Sequence, residues 1–202
     1  MIVNDQTKIP MKKITTIIAL LLFCTLLSAQ TTWKADPMHS KLSFSTVHLG
    51  IADIAGLFKT FDITATTDKA DFSDAVFELS TEVASINTEV EMRDNHLRSA
   101  EFFDVEKYPK MTFKSTSIKK IGEEKGKYQL MGNLTLHGIT KPVILTMWYR
   151  GTIENPKSKA LTAGFKFSGT LKRSDFDIGP TFPAAMISDE VKIKSDCEFI
   201  KQ

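Results

Sequence analysis

The stretch "ALTAGFKFSGTLKRS", residues 160–174, decides the fold class because apolar and polar residues alternate along it. The apolar or small side chains that share one face are Leu161, Ala163, Phe165, Phe167, Gly169 and Leu171. A period of two residues is the pattern of a β-strand with one dry and one wet face. The same alternation recurs in "KYQLMGNLTLHG" at 127–138 and in "EVKIKSDCEFI" at 190–200. The sequence therefore predicts an all-β protein.

The predicted strands are long and are joined by short turns, which favours a closed antiparallel sheet. Turn signals stand at 123–126 ("EEKG"), 137–140 ("HGIT") and 154–159 ("ENPKSK"), and further strands are expected near 41–48, 57–66, 74–86, 110–121 and 141–152. Short turns join antiparallel neighbours as hairpins. Eight or nine strands that share an apolar face can close into a barrel, which removes exposed sheet edges. A two-sheet sandwich is the alternative, although its strands are usually shorter.

One segment, "NTEVEMRDNHLRSA" at 87–100, breaks the alternation and predicts a short helix inserted between strands. Asn87 or Thr88 would cap it, and Thr88 followed by Glu91 has the spacing of a capping box. Asp94 and Arg98 are four residues apart and could pair on the exposed side. The residues expected on one helical face are Val90, Arg93 and Leu97.

Residues 1–29 are predicted to be a secretory signal peptide. From Met11 the chain carries two lysines, an apolar run at 14–27 and the small residues Ser28 and Ala29, which is the three-part layout of such signals. The run is shorter than the roughly 20 apolar residues of a transmembrane helix. We expect cleavage near Ala29, residues 1–10 to be an overcalled start, and residues 30–202 to be one periplasmic or secreted domain.

The net charge and the cysteine count of the predicted mature chain argue against nucleic-acid binding and against an internal disulfide. The predicted leader holds Lys8, Lys12, Lys13 and Asp5, so 23 basic and 23 acidic residues remain after it. A chain without net charge gives nucleic-acid binding little support. Cys197 is the single cysteine that follows the leader, so an internal disulfide is not expected in the mature chain.

Candidate catalytic residues are present but poorly placed. Asp36, His39 and Ser40 have the residue types of a hydrolase triad. They lie at one strand–turn corner, where a base cannot stand between a nucleophile and an orienting acid. The four histidines have no H-x-H or H-x-x-x-H spacing and no cysteine pair beside them. We predict no metal and no cofactor. An enzyme that uses His39, His48 and His96 at a barrel mouth stays an alternative. In the simpler interpretation, His39 and His137 form hydrogen bonds with turn backbone.

The apolar faces carry both large and small residues, so the interior could be filled or hollow. Thirteen phenylalanines follow the leader, and small residues such as Gly132, Ala163 and Gly169 interleave with them. Small residues on inward faces leave space, and an apolar cavity is a site for an apolar ligand. The barrel-wall residues expected to contact such a ligand are Phe44, Phe61, Phe77, Phe113, Leu134, Leu136, Ala163, Phe165 and Phe167.

Four blocks together resemble the YceI-like family of bacterial secreted proteins. They are "WKADPMHSKLSFSTVHLGIADIAGLFKTFD" at 33–62, "SINTEVEMRDNHLRSAEFFDVEKYPKMTFKST" at 85–116, "GNLTLHGITKPV" at 132–143 and "LKRSDFDIG" at 171–179. Their order and spacing cover nearly all of residues 33–200. Asp177 stands where many members of the family have glycine, which affects a loop. The resemblance implies an extended, eight-stranded, lipocalin-like antiparallel barrel with one inserted helix.

The resemblance also implies a function, since the members studied hold a long isoprenoid chain, such as a polyprenyl or quinone tail, and the family has no established enzymatic activity. We therefore expect an exported, non-enzymatic protein that binds such a lipid for transport, storage or stress protection. Arg93, His96, Phe102 and Phe103 are also expected to contact the ligand at the mouth, where Arg93 and His96 would orient a lid that Phe102, Phe103 and Tyr108 form. A homodimer and transient contact with a membrane, or with a membrane-bound redox or lipid enzyme, are further predictions.

Overall fold

The computed structural model describes residues 30–202, and the predicted leader at 1–29 lies outside the described residues. The strands are β1 (Thr31–Ala35), β2 (Lys41–His48), β3 (Ala52–Phe58), β4 (Phe61–Thr67), β5 (Val76–Glu82), β6 (Ile86–Asn87), β7 (Lys110–Lys120), β8 (Lys127–Leu136), β9 (Ile139–Glu154), β10 (Leu161–Lys172) and β11 (Ile187–Lys201). One helix, α1 (Glu91–Arg98), joins β6 to β7, and 3-10 turns occupy Val83–Ser85 and Arg173–Phe176. No helix of the described part is long and apolar enough to cross a membrane.

The segments form a closed antiparallel barrel of eight strands. β1 and β2 lie end to end along β11, β3 and β4 continue one another beside them, and β5 and β6 form the next interrupted strand. β7 to β11 follow in chain order, and β1 closes the ring by pairing with both β4 and β11. The predicted eight-stranded barrel with one inserted helix is confirmed.

The strand breaks differ from the sequence-based expectation. A single strand was expected near 57–66, but the chain turns at Lys59 and Thr60 between β3 and β4, and β1 was not predicted. The turn is stabilised by a residue distant in sequence, because the N–H groups of Lys59 and Thr60 donate to the carbonyl and the hydroxyl of Ser85, at 3.2 and 3.1 Å. The two neighbouring strand breaks thus provide hydrogen-bond partners for each other's backbone groups.

The two ends of the barrel are built differently. The end that we call the mouth consists of the connections 49–51, 88–109, 137–138 and 173–186. The opposite, lower end consists of the connections 68–75, 121–126 and 155–160. Helix α1 therefore lies at the mouth, beside the strand end from which it emerges.

Aromatic rings fill the lower half of the barrel. We call the rings of Trp33, Phe72, Tyr149, Phe165 and Phe199 the aromatic plug. The Phe165 ring is central, with centroid distances of 4.9 Å to Phe72, 5.2 Å to Phe199 and 5.4 Å to Tyr149. Offset and edge-on pairs at such distances contribute about 0.5–1.5 kcal/mol each beyond burial. Phe72 comes from the lower connection 68–75, and this loop therefore closes the lower end. The backbone of Phe72 adopts a positive φ of 58°.

Helix α1 is held by a buried carboxylate, and the predicted capping box is wrong. Val90 occupies the cap position without a side-chain bond, and Glu91 is exposed. Asp94 is buried instead, and its Oδ1 accepts the N–H and the hydroxyl of Thr88 at 2.7 and 2.6 Å. Arg93 donates to the Thr88 hydroxyl and carbonyl, both at 2.7 Å. The N-terminus of the helix is thereby fixed to the end of β6.

The proposed pairing of Asp94 with Arg98 is also wrong. The Arg98 guanidinium donates to the carbonyls of Ala84 and Ile86, at 2.8 and 2.9 Å, and to the side chain of Asn95. Because Asp94 faces the barrel, it is not available on the exposed side of the helix. Arg98 therefore attaches the last turn of α1 to the interruption between β5 and β6.

The corner between β1 and β2 is organised by Asp36. Its carboxylate accepts the N–H of Met38 at 2.9 Å and lies 2.7 Å from Nδ1 of His39. The hydrogen bond with His39 comes first among the causes that lower the pKa of Asp36, and the hydrogen bond and charge of Asp36 raise the pKa of His39. His39 is thus part of an exposed ion pair that shapes a turn, and its ring bonds to a side chain rather than to backbone.

We expect Asp94→Ala to lower the free energy of unfolding by about 1–3 kcal/mol, because two buried donors of Thr88 lose their acceptor. Urea unfolding measures the loss, and amide exchange should accelerate across residues 88–98. Glu91→Ala is the matched control and should stay within about 0.5 kcal/mol of the wild type, as exposed substitutions usually do. Equal losses for the two variants would contradict this account of the helix start.

We expect Asp36→Asn to lower the pKa of His39 towards the ordinary imidazole value of about 6.5, as followed by NMR titration of its ring protons. The His39 contribution to stability is present below that value and is lost as pH rises through its raised pKa. The Asp36 contribution is present above about pH 4 and is lost as pH falls through its lowered pKa. The melting temperatures of wild type and variant should therefore differ most between those limits. An unchanged His39 titration would show that the ion pair does not form.

Candidate functional site

The upper half of the barrel, next to the mouth, contains an apolar cavity. Its floor is formed by Phe77, Leu130 and Phe167, which lie directly above the aromatic plug. The residues that border it at the mouth are Leu97, Phe102, Phe103, Phe176, Ile178 and Ile187. Aliphatic side chains of β7, β8 and β9, such as Met111, Leu134 and Val143, form the wall between.

The size and the lining of the cavity indicate what can enter it. Its volume is about 190 Å³, more than the roughly 150 Å³ apolar cavity that stays dry and binds benzene, and less than the roughly 300 Å³ at which drug-sized pockets begin. A polar molecule would lose hydrogen bonds to water without regaining them from such walls. The cavity therefore suits a short length of apolar chain with the side chains as they stand.

Two glycines determine how the rings lie against the cavity wall. A Cβ atom on Gly132 would lie 2.4 Å from the Phe113 ring, and one on Gly56 would lie 2.5 Å from the Phe44 ring. Both rings therefore lie close over a strand that has no side chain at that position. The expectation that small residues simply leave space is too simple, because neighbouring side chains occupy the space above these glycines.

Six of the nine predicted wall residues line the cavity: Phe44, Phe77, Phe113, Leu134, Leu136 and Phe167. Ala163 and Phe165 are fully buried below the floor, in the part of β10 that the aromatic plug fills. Phe61 lies at the start of β4, beside the strand break, and packs at the margin of the core. The alternation placed these three on the inward face but could not give their height along the barrel.

The predicted mouth residues divide in the same way. Phe102 and Phe103 line the cavity, whereas the Arg93 guanidinium is bonded to Thr88. His96 is exposed and packs edge-on against Phe102 from outside, with ring centroids 4.9 Å apart. Arg93 thus fixes the start of α1 and His96 packs on the lid, and neither residue borders the cavity.

The lid joins two connections of the mouth. The Phe102 ring, which follows α1, stacks on the Phe182 ring from the connection 173–186 at 4.8 Å. His96 contacts both rings, and its Nε2 lies 2.5 Å from the Glu101 carboxylate. Tyr108, expected in the lid, packs against His137 instead. The stacked pair closes part of the mouth without a covalent link.

Arg173 is the residue at the mouth that the sequence analysis missed. It is buried, and its guanidinium donates five hydrogen bonds to backbone carbonyls in the 173–188 segment, at 2.5–3.3 Å. A guanidinium has five N–H donors, so all are used in shaping this connection. Asp177 follows with φ of 54°, a conformation that glycine adopts easily and aspartate tolerates. The signal was its position in the block "LKRSDFDIG", because Arg173 comes two residues after Leu171 and so falls on the apolar face of the alternating stretch.

Among the candidate catalytic groups of the described residues, Asp36 and His39 bond to each other at the β1–β2 corner, while the Ser40 hydroxyl bonds to the backbone of Glu198 and not to His39. His39 lies at the β1–β2 corner, His48 ends β2, and His137 bonds through Nδ1 to the Phe176 carbonyl at 3.0 Å. Within residues 30–202, no group of three or more His, Cys, Asp or Glu side chains is arranged to hold a metal ion. Burial raises the pKa of the Cys197 thiol, which disfavours the reactive thiolate.

Known proteins resemble this chain in sequence and in architecture. The family model of the YceI-like domain matches residues 33–199. Protein YceI of Salmonella arizonae is 38% identical over 187 residues, which cover 92% of this chain and 95% of that protein. The crystal structure of Burkholderia cenocepacia BcnA matches with a TM-score of 0.70 and 26% identity, over 81% of this chain and 98% of BcnA.

A third comparison extends the fold to a more distant protein. The structure of a polyisoprenoid binding domain from Saccharophagus degradans matches with a TM-score of 0.64 over 84% of this chain and 98% of that domain. Its identity is 15%, so the likeness concerns the fold alone. The family match, in contrast, spans almost the whole described chain and includes the four blocks that carry the resemblance. The chain belongs to the YceI-like family.

Proposed function

We propose that this protein binds the apolar tail of an isoprenoid or quinone-like lipid inside its barrel. The observation that carries the proposal is the apolar cavity, which opens towards the mouth and ends at a floor of aromatic and aliphatic side chains. The same fold occurs in a polyisoprenoid binding domain, so a barrel of this architecture is compatible with that class of ligand. Family membership and this neighbour favour a binding protein over an enzyme.

The distribution of polar groups supports entry of the ligand tail first. Packed aromatic rings occupy the lower half, and the cavity walls are apolar down to the floor at Phe77 and Phe167. A polar head group would lose its hydration in the barrel, so it would remain at the mouth. Lys172 is exposed at that edge of the cavity, where its ammonium can stay in water.

Export to the periplasm or the medium remains part of the proposal, as does transient contact with a membrane. Such contact would place the mouth where the lipid resides. The β2–β3 hairpin at the mouth carries two exposed apolar side chains, Leu49 and Ile51, which are 54% and 87% exposed. The Leu49 N–H donates to the Met186 carbonyl at 2.9 Å, so this hairpin is joined to the connection that borders the cavity. We propose that Leu49 and Ile51 enter the bilayer surface during loading.

We expect delipidated protein to bind geranylgeraniol at one molecule per chain, as measured by native mass spectrometry and titration calorimetry. Val143→Trp should weaken this binding by about tenfold or more, because the indole would occupy the cavity that Val143 lines. Ile144→Trp is the control on the next residue of the same strand, where the side chain is exposed. Its affinity should equal that of the wild type. Equal affinities for both variants, with both folded, would contradict binding in the cavity.

We expect Leu49→Ser combined with Ile51→Ser to slow transfer of geranylgeraniol from phosphatidylethanolamine–phosphatidylglycerol vesicles by roughly tenfold, because less apolar surface would be buried on contact. Equilibrium affinity for the prenol in solution should not change. Met38→Ser is the matched control, since Met38 is 88% exposed but lies at the β1–β2 corner, away from the mouth. Transfer that slows equally in the control would refute a specific role for the hairpin.

A further inference from the structure

The barrel is considerably longer than its cavity. β10 begins at Leu161, but its first residue on the cavity is Phe167, and the last cavity residue of β11 is Ser195 although the strand continues to Lys201. Six residues at about 3.3 Å each, in a strand tilted by about 40°, span roughly 15 Å along the axis. The cavity therefore ends well above the lower end of the barrel, and a length of barrel comparable with that of the cavity lies beneath it.

Phe165 takes up the space that would otherwise continue the cavity. Its ring lies directly beneath two floor residues, with centroids 5.5 Å from Phe77 and 5.9 Å from Phe167. Small side chains surround this level of the wall, where Ala65 and Ala163 are fully buried. Since neither alanine can fill the centre of a barrel, the Phe165 ring and its aromatic neighbours do so.

The plug is also well supported from below. Phe72 packs on Phe165 at 4.9 Å and on Trp33 at 5.2 Å. The loop that carries Phe72 is tied to β4 by Asp74, whose carboxylate accepts the Thr67 hydroxyl at 2.5 Å. Because Phe165 touches rings from five positions, it cannot rotate aside without disturbing several of them. The upper wall, in contrast, is rich in leucine and other flexible aliphatic side chains.

We propose that Phe165 determines specificity by limiting the length of isoprenoid chain that the barrel can bury. This inference rests on the proposed function and names a property of the same site. The terminal isoprene units of a linear chain enter through the mouth and stop at the floor above Phe165. Any further units remain outside the cavity, so a longer chain adds little affinity.

The test uses a series of all-trans prenols, geraniol, farnesol, geranylgeraniol and solanesol, with delipidated protein. Each buried methylene strengthens binding by about fourfold, so wild-type affinity should rise with length and then level off once the cavity is filled. In Phe165→Ala the rise should continue to longer prenols, with solanesol bound at least about tenfold more tightly than by the wild type. Geraniol should bind the two proteins within about twofold of each other, since it does not reach the plug.

Leu136→Ala is the control, because Leu136 lines the same cavity near the mouth. It should weaken all prenols alike and leave the length at which affinity levels off unchanged. Phe165→Leu removes less of the plug and should shift that length in the same direction as Phe165→Ala, which keeps the test valid if the alanine variant does not fold. The same levelling-off length in wild type and folded Phe165 variants overturns the length limit while leaving the proposed function standing. Absence of binding of every prenol by wild type overturns both.

Discussion

The packing of Phe165 among aromatic rings is the interaction on which both halves of the barrel depend. β11 closes the sheet against β1 and β2, and next to the plug this seam consists of three residue pairs with β1, at Trp33, Lys34 and Ala35. Trp33 and Phe199, one on each of these strands, both belong to the aromatic plug. Side-chain packing inside the barrel therefore supports the backbone pairing that closes it, and opening the seam would expose the plug to water.

The mouth is stabilised in a different way, by buried polar groups that satisfy irregular backbone. Arg173 uses all its donors on carbonyls of the 173–188 segment, and Asp94 accepts both donors of Thr88. Such bonds fix loops without filling the space that the loops surround. Because removing one partner of a buried hydrogen bond costs about 1–3 kcal/mol, the mouth can hold its shape around a cavity.

The fold was predictable from the sequence because the evidence for it is local. Alternation with a period of two identifies strands, and short turns between them require antiparallel neighbours. The break at Lys59 and Thr60 was not predictable, since it depends on Ser85, which comes 25 residues later than Thr60. The predicted capping box of α1 was wrong for a similar reason. Glu91 had the expected spacing, but the barrel buries Asp94, which reaches Thr88 from within the helix.

The site was predictable only in part, and the limit has a geometric cause. Alternation tells which face of a strand a residue occupies, but it does not tell how far along the barrel axis that residue lies. Phe165 and Phe167 share a face and stand two residues apart, yet Phe167 lines the cavity and Phe165 belongs to the plug. Whether an inward ring borders space or fills it depends on rings from other strands and on the 68–75 loop, so packing decides it.

The division into a filled and a hollow half has an energetic consequence for ligand binding. The side chains that line the cavity of about 190 Å³ lack packing partners on one side, which weakens the free protein relative to one with a filled core. The ring contacts of the lower half offset part of that loss, at about 0.5–1.5 kcal/mol for each aromatic pair. A chain that fills the cavity restores the missing contacts, and a ligand that binds the folded state alone stabilises it. The same cavity that weakens the free barrel thus supplies the driving force for taking up an apolar tail. In the absence of that tail, the packing of the plug stabilises the closed barrel.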